Sequence, residues 1–86
     1  MKTITMFMFD ECPYCRRAIE IQRQLLAELA YAEIVIEMIN ERTQPELAGS
    51  YDYYFVPSYF HAGEKLHEGA AGTDDIRRIL DAVISA

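Results

Sequence analysis

The residues best suited to chemistry are two cysteines separated by two residues, in the run Cys12-Pro13-Tyr14-Cys15. They are the only cysteines in the chain. The apolar run before them predicts a strand, and the run from Pro13 to about Leu29 predicts a helix. A C-x-x-C dithiol beside a strand–helix–strand pattern is typical of a redox motif.

A helix start at this point would favour the reactive form of the first sulfur. The first turn of a helix has backbone N–H groups without intrahelical partners and a partial positive charge. Both would stabilise a thiolate at Cys12, and the thiolate is the nucleophilic form of cysteine. Pro13 suits the first helical position, and Cys15 falls one turn further along, beside Cys12.

Two other uses of the cysteines are less favoured. A structural zinc site needs four ligands, and the remaining candidates, His61 and His67, are distant in sequence. A purely structural disulfide would close a very short loop and constrain the unfolded chain little. We therefore expect no metal and interpret Cys12 and Cys15 as a redox pair.

Length and composition predict one small globular domain, residues 1–86. The formal charge of −6 disfavours sequence-independent binding to nucleic acids and attraction to anionic membranes. No apolar run approaches the ~20 residues that span a bilayer. The first residues enter a strand pattern directly and show no cleavage site, so we expect a cytoplasmic protein.

The first half of the chain predicts a strand–helix–strand unit. Thr3–Phe9 is apolar at nearly every position, which indicates a central strand buried on both faces. Ala32–Ile39 alternates in polarity and carries glutamates, which indicates an edge strand, so the unit is parallel with a right-handed crossover. The intervening helix has an apolar stripe of Ala18, Ile21 or Gln22, Leu25, Leu26 and Leu29.

The second half predicts a short helix, an aromatic cluster, a hairpin and a last helix. Thr43 is expected to cap the short helix, with Glu46 completing a capping box. The cluster of Tyr51, Tyr53, Tyr54 and Phe55 is interpreted as packing, with substrate recognition as the alternative.

The hairpin joins a strand from Val56 to Ala62 with an edge strand from Lys65 to Glu68. Thr73 is the expected N-cap of the last helix, followed by two aspartates in its first turn. That helix has an apolar face of Ile76, Ile79, Leu80, Val83 and Ile84.

With these elements in place, the chain resembles the glutaredoxins. The resemblance covers almost the whole length and is carried by Cys12-Pro13-Tyr14-Cys15, Val56-Pro57 and Gly72-Thr73-Asp74-Asp75, in this order. It implies an α/β, thioredoxin-like fold of element order β-α-β-α-β-β-α. The implied sheet is mixed and four-stranded, with the second strand at one edge, then the first, third and fourth, flanked by three helices.

The resemblance also implies roles for individual residues. Cys12 corresponds to the exposed nucleophile and Cys15 to the resolving thiol. Pro57 corresponds to the cis-proline beside the dithiol, and Val56 to the residue whose backbone pairs with that of the substrate. The residues implied to bind glutathione are Tyr14, Thr73 and Asp74, although the last two also suit simple helix capping.

Two departures from the family pattern concern glutathione. Asp10 and Glu11 precede the dithiol, where many glutaredoxins have a basic residue, and a nearby like charge disfavours a thiolate. The helix terminus and Arg16 or Arg17 must offset this charge. Phe55 stands where a threonine commonly precedes Val-Pro. We therefore expect weak glutathione binding.

The predicted function is a thiol–disulfide oxidoreductase of glutaredoxin type. It would reduce protein disulfides and glutathione mixed disulfides as a monomer, with glutathione as co-substrate and no bound cofactor. Its expected partners are glutathione and disulfide-containing or glutathionylated proteins. Two alternatives stay open: a redoxin recharged by a thioredoxin-reductase-type enzyme, and a dimer that holds an iron–sulfur cluster through one Cys12 from each chain. Pro13 stiffens the loop and disfavours the cluster.

Overall fold

One mixed sheet with three helices forms the fold, as the resemblance implies. The computed structural model describes residues 1–86. The elements in chain order are β1 (Lys2–Met8), α1 (Pro13–Leu25), a 3₁₀ turn (Leu29–Tyr31), β2 (Ile34–Asn40), α2 (Pro45–Gly49), β3 (Ser58–His61), β4 (Glu64–Glu68) and α3 (Thr73–Ser85). The strand order is β2-β1-β3-β4. No helix is both long enough and apolar enough to cross a membrane.

β1 is the central strand that its apolar composition predicts. It pairs in parallel with β2, from Lys2–Ile34 to Met8–Asn40, and antiparallel with β3. Its neighbours leave β2 and β4 at the two edges of the sheet, as expected. Both faces of β1 are covered, because Met6 and Phe7 point to opposite faces and both are fully buried.

The two faces of the sheet have different cores. The larger core joins the sheet to α1 and α3 and includes Ile4, Met6, Ala18, Leu25, Ile76 and Leu80. On the other face Phe7 packs with Tyr51 and Tyr53, whose ring centroids lie 4.7 and 4.9 Å from its own. Packing is thus confirmed for these two tyrosines, whereas Tyr54 and Phe55 are 86% and 68% exposed.

α1 is shorter than its sequence pattern predicts. It ends at Leu25, and Leu29, expected in the core, is 92% exposed. The chain forms a tighter, 3₁₀-type turn after the helix, because the N–H of Glu28 donates to the carbonyl of Leu25, three residues back. Tyr31 is buried there instead, and its hydroxyl donates to an Asp81 carboxylate oxygen at 2.6 Å.

Of the two alternatives predicted for the apolar stripe of α1, Gln22 is buried and Ile21 is only partly buried. Gln22 is 3% exposed, and its side-chain oxygen accepts a hydrogen bond from the Tyr59 hydroxyl at 2.8 Å. Tyr59 is itself fully buried on β3. Two polar groups therefore satisfy one another inside the larger core, which removes the cost of burying either alone.

Neither predicted threonine cap is present. α2 begins at Pro45 after Gln44, and the Thr43 hydroxyl donates to the Asn40 carbonyl instead. Proline suits the first helical position, so it sets the start of α2 one residue too late for Thr43 to cap it.

At the last helix, Gly72 is the N-cap and Thr73 is the first helical residue. An Asp75 carboxylate oxygen accepts the Gly72 N–H at 3.0 Å, which closes the end of the helix without a threonine side chain. The two aspartates do lie in the first turn, as predicted. At the other end, the Lys2 ammonium donates to the Val83 carbonyl at 3.1 Å, so the end of α3 is held against the start of β1.

Candidate active site

The dithiol lies where β1 passes into α1. Cys12 is the N-cap, with extended backbone angles, and Pro13 is the first helical residue. The backbone N–H of Cys15 donates to the Cys12 sulfur at 3.2 Å. A hydrogen bond from a helix-start N–H favours the ionised form of the sulfur that accepts it. The local geometry expected from the spacing is therefore present.

Both sulfurs belong to free thiols, and both residues are buried. Cys15 is fully buried, and Cys12 is only 4% exposed. The resemblance implies an exposed nucleophile at Cys12, and this expectation is wrong for this chain. The reason is local, since the Cys12 N–H donates to the Phe9 carbonyl and folds the loop back onto the end of β1. A substrate sulfur has only a small opening through which to reach Cys12.

The Cys15 thiol is difficult to ionise. Burial, which penalises a thiolate, is the main cause that raises the pKa of Cys15 to about 12, and its hydrogen bond with Cys12 adds to the effect. Cys15 is therefore protonated at neutral pH. It must lose that proton before it can attack a disulfide.

Alkylation should reveal the raised pKa of Cys15 as a pH dependence. In a Cys12→Ala variant, which keeps the burial of Cys15, we expect iodoacetamide to label Cys15 at least about 100-fold more slowly at pH 8 than it labels an unhindered cysteine peptide. Below the pKa the thiolate fraction rises about tenfold per pH unit, so labelling should still be accelerating at pH 10. Mass spectrometry after timed quenching measures both rates. A rate that levels off near pH 9 would contradict the assignment.

The Val56–Pro57 segment lies beside the dithiol loop. The peptide bond between these residues is cis, as the resemblance implies, and Pro57 is fully buried. The register of β1 with β3 pairs Phe7 with Ser58, so Pro57 is level with the end of β1 from which the dithiol loop starts. The N–H and carbonyl of Val56 have no hydrogen-bond partner in the chain. They are thus available to another backbone.

Tyr14, which lies between the two cysteines in the sequence, lines a cleft. Tyr14 is 60% exposed, and the cleft, of about 270 Å³, is also lined by Arg17, Ala70, Ala71, Gly72 and Asp75. Thr73 and Asp74 are exposed and lie beside this cleft without lining it. The structure therefore brings Tyr14 to the start of α3, where the first helical N–H groups have no intrahelical partners.

The charges around the dithiol loop include a cation that sequence reasoning missed. Arg42 lies with its guanidinium 4.0 Å from the centre of the Phe9 ring and 3.1 Å from a Glu11 carboxylate oxygen. Of the two expected arginines, Arg16 donates to the Asp10 carbonyl. Parallel pairing of two strands carries their following loops to the same edge, which is the signal that could have pointed to Arg42.

Comparison with known proteins agrees with this geometry. The family model described as Glutaredoxin matches residues 4–64. A mutant thioredoxin from Halobacterium salinarum NRC-1 has a similar structure, with a TM-score of 0.74 and 20% identity over 95% of this chain and 74% of that one. A thioredoxin-like protein from Clostridium perfringens has a TM-score of 0.68 and 27% identity, covering 96% of this chain and 71% of that one. No curated protein sequence matches the chain.

Proposed function

The chain belongs to the glutaredoxin family, and from that premise we propose that it reduces protein disulfides and glutathione mixed disulfides through Cys12 and Cys15. Thiol oxidoreductase activity follows from the family. The observation that carries the fuller proposal is the contrast within the dithiol. The Cys12 sulfur accepts a helix-start N–H, whereas burial keeps Cys15 protonated.

This contrast supports an order for the two cysteines. The Cys12 thiolate attacks one sulfur of the substrate disulfide, the substrate S–S bond breaks, and the leaving thiolate takes up a proton. Cys15 then loses its proton and attacks the Cys12 sulfur, which breaks the mixed disulfide and releases the second substrate thiol. Two electrons pass from the dithiol to the substrate, and a Cys12–Cys15 disulfide remains.

Two molecules of glutathione would restore the dithiol and leave as glutathione disulfide. Three features support glutathione as this co-substrate: the cleft beside Tyr14, the Arg17 cation that lines it, and the unpaired N–H groups at the start of α3. Helix-start N–H groups and a guanidinium are both suited to a carboxylate. Thr73 and Asp74 would contribute through their backbone, at the rim of this cleft.

The charges beside the dithiol favour a second candidate for the electron donor. Asp10 and Glu11 are both exposed, and glutathione itself carries a net negative charge. Like charges reduce the rate and affinity of such an encounter. A flavoprotein reductase of the thioredoxin-reductase type, which docks through a protein surface, would avoid this penalty. We therefore keep it as the alternative donor.

Two reductase-linked assays test the donor. With the mixed disulfide of glutathione and 2-mercaptoethanol as substrate, we expect NADPH consumption in the presence of glutathione and glutathione reductase.

Replacing Arg17 with alanine should raise the apparent KM for glutathione up to about fivefold, the scale of an exposed ion pair. The matched control is Arg23→Ala, further along α1 and paired only with Glu20, which should leave that KM unchanged.

The contrary outcomes are distinct. Turnover with thioredoxin reductase but none with glutathione would show that the reductase is the electron donor. The proposed oxidoreductase activity would still stand. Failure to reduce any disulfide with either donor, or with a chemical dithiol, would overturn the proposed function itself.

A further inference from the structure

Two neighbouring aromatic rings lie exposed next to the free backbone of Val56. Tyr54 is 86% exposed and Phe55 is 68% exposed, whereas Tyr51 and Tyr53 pack on Phe7. Neither exposed ring takes part in the core, so the fold gives no reason for its apolar surface. Contiguous exposed apolar surface beside polar groups is typical of an interaction site.

A single carboxylate fixes the backbone that carries these rings. One oxygen of Glu68 accepts the N–H groups of both Tyr54 and Phe55, at 2.6 and 2.9 Å. Its other oxygen accepts the Lys65 ammonium at 2.7 Å. We call Glu68 with these two N–H groups the Glu68 clamp. It joins the edge strand β4 to the segment that precedes Pro57.

The Glu68 carboxylate stays ionised at any pH at which the protein would work. The Lys65 hydrogen bond, and then the two backbone N–H groups, lower the pKa of Glu68 to about 2. Ser58 also pairs with Glu68 across β3 and β4, and the Pro57 carbonyl accepts the Gly69 N–H at 2.8 Å. The segment is therefore attached to β4 at both ends. A rigid, preorganised surface loses less entropy when it binds a partner.

The free groups of this segment indicate what the partner is. The Tyr54 and Phe55 N–H groups are occupied by the clamp, so the unpaired backbone groups next to the rings are those of Val56. An extended polypeptide can pair with them as an added strand and place a side chain on the rings. Glutathione has two carboxylates and no large apolar side chain, so it could not cover this surface.

We propose that Tyr54 and Phe55 form a recognition surface for an extended polypeptide with an apolar residue beside its disulfide cysteine, and that the Glu68 clamp positions this surface. The inference rests on the proposed function and specifies which of its protein substrates are favoured, namely those with an apolar residue beside the disulfide cysteine. Apolar contact with an aromatic ring adds affinity for such a polypeptide and little for a small thiol.

The test uses two peptides that differ only beside their cysteine. Each carries one cysteine in mixed disulfide with 2-mercaptoethanol, flanked by leucine in one peptide and by serine in the other. We expect a KM lower by roughly tenfold for the leucine peptide. Phe55→Ser and Tyr54→Ser should each reduce the ratio of the KM for the serine peptide to the KM for the leucine peptide, and the double variant should bring this KM ratio close to one. Leu29→Ser is the matched control, since Leu29 is 92% exposed and lies beyond the end of α1, a helix about 20 Å long that starts at the dithiol.

The clamp has its own graded test. Glu68→Ala removes every acceptor for the two N–H groups, whereas Glu68→Gln keeps an acceptor oxygen. We therefore expect the KM ratio to fall most in the alanine variant and to be partly retained in the glutamine variant. Equal effects of both variants on both peptides would indicate a merely structural role and overturn the positioning role of Glu68.

A binding measurement separates this inference from the redox proposal. A Cys12→Ser/Cys15→Ser protein would be titrated with the leucine peptide carrying serine in place of its cysteine. We expect amide chemical shifts to change at Tyr54, Phe55 and Val56. Changes confined to other residues, or equal KM values for the two peptides in the unmodified protein, would overturn the recognition surface. If the protein reduces no disulfide, the proposed function fails, while the titration still decides the inference.

Discussion

Replacing Cys12 with serine is expected to lower disulfide reduction more than about 1000-fold, the scale seen when an enzyme loses its nucleophile. A serine hydroxyl remains protonated at neutral pH and cannot displace a thiolate from a disulfide. The helix-start N–H that now points at the Cys12 sulfur would have no thiolate to stabilise. Steady-state reduction of a protein disulfide by the dithiol measures the loss.

The matched control is Cys15→Ser, which should separate the two steps. This variant keeps the first attack, so incubation with a disulfide substrate should accumulate a mixed disulfide on Cys12 that mass spectrometry detects. It should also keep activity towards glutathione mixed disulfides, where free glutathione can replace the resolving thiol. Full activity of the Cys12→Ser protein, or a mixed disulfide found on Cys15, would show that the assigned order is wrong.

Replacing Phe7 with alanine is expected to destabilise the protein by about 3–5 kcal/mol, the usual cost of removing a buried phenylalanine ring. Phe7 is fully buried, and the rings of Tyr51, Tyr53 and Phe60 surround it. These partners are themselves large and rigid, so the cavity cannot easily close. Because small domains have only about 5–15 kcal/mol of stability, much of the variant should be unfolded at moderate urea concentrations.

Urea titration followed by circular dichroism measures this change as a lower midpoint with an unchanged slope. The control is the same substitution at Phe55, which is 68% exposed and should change the free energy of unfolding by less than about 0.5 kcal/mol. Equal effects at the two positions would mean that the second core does not support the fold. A stable Phe55→Ala protein would also show that the recognition surface can be altered without loss of the fold.

Much of the fold could be predicted because its strongest signals are periodic. The apolar face of α3 repeats with helical spacing, and its predicted members Ile76, Ile79, Leu80 and Val83 are buried. β1 is apolar on both faces and is central, whereas β2, whose region alternates in polarity, and the more polar β4 are edges. The position of the dithiol was also predictable, because Pro13 and the change of pattern mark a helix start.

The errors arose where contacts between distant residues decide the outcome. Leu29 continues the periodic pattern of α1, but the helix has already ended and Tyr31 takes the buried position. Thr73 has the right residue type for a cap, but Asp75 closes that end through the Gly72 N–H. Periodicity and propensity are properties of a short window, so tertiary packing overrides them at the ends of helices.

The site was predictable in its chemistry and less so in its surroundings. The dithiol followed from the spacing of the two cysteines, and the cis peptide before Pro57 followed from the family resemblance. The burial of Cys12, the approach of Arg42 and the Glu68 clamp did not. Each depends on where a loop returns to the sheet, which composition and spacing do not specify.

The central position of β1 has a consequence for the chain during its synthesis. β1 leaves the ribosome before both of its neighbours, and β3 follows it by more than half the length of this chain. Until Ser58–His61 has emerged, one edge of an apolar strand has no partner. Such an edge can join another nascent chain, and pairing of β1 with β2 leaves it open, so the chain is most exposed to aggregation before β3 has been made.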